Sequence, residues 1–193
     1  MSAPRAAPKA RRLAEREALI VATARSLAEE QGWEAVTTRR LAEAIGYSQP
    51  VLYGHFPGGR SQIVTAVALA GTDELTAAMT APEQSPGSAE RLRALVTGYL
   101  DFAERCPATY EAIFRLPLDV PFASAETPRQ LRDAFATIVD ALRGLDHPPA
   151  DAETAAEVLW AALHGVATLQ LAGRFLPENY ERRVEELVRR FAG

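Results

Sequence analysis

Thr37-Thr38-Arg39-Arg40-Leu41-Ala42-Glu43-Ala44-Ile45-Gly46-Tyr47-Ser48-Gln49-Pro50-Val51-Leu52-Tyr53-Gly54-His55-Phe56 reads as two short helices joined by a tight turn, a helix-turn-helix. Leu41, Ala42 and Ile45 share one face of the first helix, and Gly46 stands where a glycine ends a helix by adopting a positive φ. Ser48 then offers a hydroxyl as the next N-cap, and Pro50 falls in a first turn, where a missing N–H is harmless. The second helix is therefore expected over Gln49 to His55, with Leu52 and Phe56 one turn apart and packed on its predecessor. Gln49, Pro50, Tyr53 and His55 are left facing outward. Such a set of polar and aromatic side chains on a short helix suits the major groove of duplex DNA.

The longer run from Gly32 to Phe56, with its Leu52-Tyr53-Gly54-His55-Phe56 segment, resembles the DNA-binding head of the tetracycline-repressor (TetR) family. The resemblance extends over the first third of the chain, from an amphipathic helix near Ala10 to a helix near Arg60. It implies DNA contacts from Thr37, Thr38, Arg39, Ser48, Gln49, Pro50, Val51, Tyr53, His55 and Arg60. Gln49, Pro50 and Tyr53 are implied in the groove, Thr38, His55 and Arg60 on phosphates, and Arg39 on a base or a phosphate. One departure is visible: Pro57-Gly58-Gly59-Arg60 is one residue longer than the usual family turn, and Arg60 stands where the family carries a lysine.

The chain of 193 residues is 48% hydrophobic, rich in alanine and without sustained period-two alternation, so an all-α fold of about nine helices is expected. The formal charge is −4 overall but uneven: residues 1–65 carry a net +3 and residues 66–193 a net −7. A basic head on an acidic body keeps the repelling charge away from phosphate. Three segments follow: residues 10–59 as the helix-turn-helix domain, 60–80 as a linking helix, and 81–193 as a body for ligand binding and dimerisation.

Residues 1–9 lack periodicity and are expected to be mobile, with Arg11 and Arg12 at the edge of order. From Ala10 to Gln31, Leu13, Leu19, Ile20, Ala24 and Leu27 recur at helical spacing, and Trp33 reads as a core plug beside that helix. The linking helix contains Gly71, which weakens a helix by about 1 kcal/mol and makes a bend there reasonable. Ala81-Pro82-Glu83-Gln84-Ser85-Pro86-Gly87 is the clearest internal loop. Ser88 is expected to cap the next helix, Pro107 to open a short one over Ala108 to Arg115, and Leu118 and Phe122 to tuck inward from an apolar loop. Thr127-Pro128 opens another helix, and Asp151 a further one reaching about Arg174 that is apolar on more than one face. With the last helix, from Pro177, it forms the expected homodimer surface.

Within it, Trp160-Ala161-Ala162-Leu163-His164-Gly165 is similar to a W-x-x-x-H-G pattern of many TetR-like bodies. That likeness implies an unidentified small-molecule effector, with Phe102, Tyr110, Phe114, Phe135, Trp160 and His164 as candidate lining. Ordinary core is the competing reading for each of them taken singly.

An enzyme needs a constellation that is missing here: His55, His147 and His164 have no metal-ligand spacing, and no serine or cysteine lies in a nucleophile setting. No cofactor is implied. Cys106, the single cysteine, forms no intramolecular disulfide, and with neither a signal peptide nor a membrane anchor a reducing cytoplasm is the expected location. The expected function is thus a dimeric regulator, most often a repressor in this family, that binds a near-palindromic operator and is released by its effector. A helical interaction dimer without DNA binding and an all-α enzyme are the alternatives.

Overall fold

A computed structural model of the protein describes residues 6–80 and 87–192, so residues 1–5 of the stretch expected to be mobile and most of the 81–87 loop lie outside the described residues. Among the described residues there are nine α-helices and no strand. They are α1 (Ala6–Gln31), α2 (Thr38–Ile45), α3 (Gln49–His55), α4 (Gly59–Met79), α5 (Ser88–Arg105), α6 (Pro107–Phe114), α7 (Arg129–Arg143), α8 (Ala152–Leu171) and α9 (Tyr180–Ala192). The chain divides into two compact units. Residues up to Leu69 join Ala108–Val120 in one, and Ala70–Pro107 joins Pro121–Gly193 in the other. A stretch expected in the body, most of α6 and the loop after it, thus belongs to the head's unit.

In the first unit α1, α2 and α3 pack on one another. Ile20, Ala24 and Ala28 of α1 are buried with Leu41, Ala42, Leu52, Phe56 and Ile63. Helix α1 starts four residues before Ala10, because Pro8 falls in the first turn, where its missing N–H does no harm. Leu13 and Leu19, expected inside, are exposed. Leu19 lies about 100° around the helix from Ile20, and Leu13 shares Ile20's face but sits nearly two turns ahead of it. Trp33 is buried, and its indole N–H donates to the Ala108 carbonyl at 2.7 Å, so it plugs against α6.

The second unit packs α5 against α7, α8 and α9, and α7 against α8. Its core includes Leu92, Leu95, Val96, Tyr99, Leu100, Phe102, Leu142, Leu159, Leu163 and Val184. Helix α4 runs unbroken through Gly71 into this unit. Its last turn meets α5 at Gly98, where a Cβ would stand 1.9 Å from the Ala78 carbonyl oxygen and 2.6 Å from its carbon. The two backbones touch there. Gly87, not Ser88, occupies the N-cap of α5, and Ser88 is buried as the first helical residue. Asp151 caps α8 as expected, accepting from Thr154 N–H at 3.0 Å and from its hydroxyl at 2.7 Å. These bonds hold the Asp151 carboxyl below its ordinary range. The Tyr180 hydroxyl donates to Asp101 at 2.6 Å and ties α9 to α5; burial, then that carboxylate, raises its pKa.

Phe122 departs from expectation, being 57% exposed, while Leu118 is half-buried. The turn that follows is built from polar bonds, with Ser124 N–H donating to the Thr127 hydroxyl at 3.1 Å and Arg132 donating to the Thr127 carbonyl at 3.0 Å. It therefore holds its shape without an aromatic anchor. No helix among the described residues is long and apolar enough to cross a membrane.

Candidate nucleic-acid interface

Thr37 has an extended backbone, and its hydroxyl accepts from Arg40 N–H at 3.2 Å, which starts α2. Gly46 ends that helix at φ 69°, in the left-handed region. The tight reversal delivers Ser48 to the N-cap of α3, with Gln49 and Pro50 in its first turn. The Ser48 hydroxyl makes no capping bond, contrary to expectation; Pro50 removes one of the N–H groups a cap would serve.

The outward surface of α3 carries much of the expected set. Ser48, Gln49 and Pro50 are exposed, Val51 is 40% exposed and Tyr53 46%. On α2, Thr37 and Arg39 are exposed and Thr38 is half-buried. Arg39 is paired one turn along with Glu43 at 2.9 Å, and that hydrogen bond and charge raise its pKa. Arg40 donates to the Gln31 side chain at 2.6 Å, tying α2 to the end of α1.

Two of the residues expected on phosphates direct side-chain atoms into the head. The His55 side chain is only 6% exposed, and its Nδ1 lies 3.5 Å from the Glu17 carboxylate of α1, an ion-pair distance without hydrogen-bond geometry. It points inward because α3 must bury Leu52 and Phe56, and His55 flanks that stripe. Arg60 sends Nε to the Val36 carbonyl and Nη2 to the Trp33 carbonyl, both at 2.9 Å. Two of its five N–H donors are thereby directed into the head. The residue before it, Gly59, has φ 60°, and a Cβ there would stand 3.1 Å from Tyr53 Cε1, so the tyrosine ring lies against the start of α4. Glu17 and Glu29, which turn out to hold other elements in place, were not legible from sequence, since their partners are distant in the chain.

The candidate effector residues fall in both units. Tyr110 and Phe114 share α6 in the first, with ring centroids 4.7 Å apart. In the second, Phe135 of α7 lies 6.2 Å from Trp160 of α8, Phe102 is buried in the core, and His164 is half-buried. A groove of about 360 Å³ in that unit is lined by Val166, Asn179, Arg182, Arg183, Glu186, Leu187 and Arg190, none of them from the aromatic set. No group of three metal-ligating side chains occurs among the described residues.

The family model of bacterial regulatory proteins, tetR family, matches residues 20–67, and that of the tetracyclin repressor-like C-terminal domain matches residues 92–191. No curated protein matches the chain. Among solved structures, a Rhodococcus sp. RHA1 protein of unknown function is 25% identical, with 92% of this chain and 95% of that one covered and a TM-score of 0.77. A tetR-family transcriptional regulator from Streptomyces coelicolor is 26% identical over 92% of this chain and 78% of its own, TM-score 0.67. A regulatory protein of the tetR family from Rhodococcus RHA1, 21% identical over 91% of this chain and 96% of its own, shares the fold at a TM-score of 0.62. With a helix-turn-helix in its head and family models matched over both head and body, the chain belongs to the TetR family of bacterial transcriptional regulators, which bind DNA and catalyse no reaction.

Proposed function

We propose that this TetR-family regulator acts in the cytoplasm as a homodimer that represses from a near-palindromic operator and leaves it when an apolar small molecule enters the body. Exposure of Gln49, Pro50, Val51 and Tyr53 on one short helix carries the reading, because a major groove admits an α-helix that presents such side chains. Gln49 and Tyr53 read base edges. Thr37, Thr38 and Ser48 contact phosphates from the helix starts, and Arg39 and Arg60 add charge. The Trp160-x-x-x-His164-Gly165 segment and Phe135, which lies beside Trp160 in the second unit, serve the effector.

Base readers and phosphate contacts separate by experiment. Replacing Gln49 with alanine is expected to relax preference at one base pair by about 1–3 kcal/mol, whereas Arg60→Ala weakens all duplexes alike and lowers the salt slope by about one. Titration of a labelled operator duplex at several salt concentrations measures both. Unchanged affinity in both Tyr53→Ala and Arg60→Ala would falsify the docking.

In this reading His55 packs α3 against α1, its side chain buried beside Glu17, and does not reach a phosphate. His55→Ala is expected to lower the melting temperature by a few degrees, as loss of about 1–2 kcal/mol does in a chain of this size. The salt slope of DNA binding stays as in wild type, and a slope reduced by one would return His55 to the phosphates.

A further inference from the structure

The helix that carries Tyr110 and Phe114 is fastened within the head's unit by polar bonds. Glu29, near the end of α1 and half-buried, accepts from Ala108 N–H at 3.0 Å through Oε2 and from Thr109 N–H at 2.9 Å through Oε1. The Thr109 hydroxyl adds a third bond to Oε1 at 2.6 Å. First-turn N–H groups have no acceptor inside their own helix, so a single carboxylate from α1 caps the start of α6. Past the end of α6, Asp119 N–H reaches the Thr65 hydroxyl of α4 at 3.4 Å.

These bonds continue toward DNA. The Trp33 indole holds the Ala108 carbonyl at 2.7 Å, while the Trp33 carbonyl accepts from Arg60 at 2.9 Å. Arg60 follows Gly59, against which the Tyr53 ring rests. From the first turn of α6 to the reading helix there is thus a continuous series of contacts. Resting on the DNA-binding reading above, we propose that Glu29 is a coupling residue: it clamps α6 to α1 in the DNA-competent head, and the cap loosens when the head leaves DNA. Two backbone N–H groups and a hydroxyl share that one carboxylate, so releasing it takes the protein acceptor from all three.

Coupling is reciprocal, which allows a test without any effector. A duplex is selected from a random library by retention on the wild-type full chain, and amide hydrogen exchange over residues 107–116 is followed with and without a saturating amount of it. Wild-type exchange at Ala108 and Thr109 is expected to slow about fivefold or more on adding the duplex. Glu29→Gln, which keeps the shape but replaces one acceptor by a donor, reduces the slowing, and Glu29→Ala abolishes it; Glu30→Ala, at the exposed neighbouring position, leaves it intact. Wild-type exchange that the duplex does not alter overturns the clamp, as does full slowing in Glu29→Gln, the variant that decides if Glu29→Ala does not fold. Failure to retain any duplex overturns instead the DNA-binding reading on which the clamp rests.

Discussion

Alanine at position 98 is expected to destabilise the protein by about 3 kcal/mol, the upper end of what an added methyl costs in a well-packed core. The new carbon would stand 1.9 Å from the Ala78 carbonyl oxygen, and the obstacle is backbone, which has no rotamer to yield with. Helices α4 and α5 would have to separate, and the residues packed beside them, Tyr99 and Met79 among them, would lose contact with their neighbours. In a chain of this length the melting temperature is expected to fall by roughly 10 °C. Gly54→Ala is the control, because nothing lies within 4 Å of a Cβ added there and alanine is the better helix former. Equal melting temperatures for Gly98→Ala and wild type would show that the two helices do not meet as described.

A glutamate at Leu169 should divide the protein into monomers. Ala155, Val158, Ala162, Gly165 and Leu169 recur at alternating steps of three and four along α8, with Val158 56% and Leu169 43% exposed. A Cβ added at Gly165 would meet nothing within 4 Å, so nothing in the protomer itself requires a glycine there. In the proposed homodimer a second copy laid along this stripe would supply the missing neighbour. In a two-fold dimer the substitution would enter the interface twice, and burying each uncompensated charge costs about 3 kcal/mol, so the two together would raise the dimer dissociation constant roughly ten-thousandfold. Two half-sites held together gain roughly 10²–10⁴ in affinity over one, so operator binding falls with the dimer. Gly165→Leu has room to fold in the protomer yet blocks the approach of a partner, and is expected to give the same result by sedimentation. Dimers that persist in both variants would place the interface elsewhere.

What could be read ahead of the structure was local. Gly46 and Asp151 signal helix ends through chemistry that acts within four residues, and the structure has both in those places. Ser48 sits where expected but makes no capping bond, because capping also depends on which N–H groups remain, and Pro50 has removed one. Features set by distant partners were not legible. Gly98 has no neighbours in sequence that mark it as the crossing point with Ala78, and Glu29 caps a helix 79 positions away. His55 lies at the edge of the buried stripe of a seven-residue helix, too short for periodicity to say which way an edge residue points. Phe122 misled for a related reason, since an apolar loop residue invites burial while the polar turn beside it already fixes the chain.

The chain has two tryptophans, and they are differently placed: Trp33 is 5% exposed with its indole N–H bonded to a carbonyl, and Trp160 is 40% exposed on α8. One belongs to each compact unit, which makes the protein its own two-colour optical probe. Trp33 should emit toward the blue and resist acrylamide, and Trp160 should emit toward the red and be quenched readily. With either replaced by phenylalanine, the remaining fluorophore reports whether head and body melt together or in sequence.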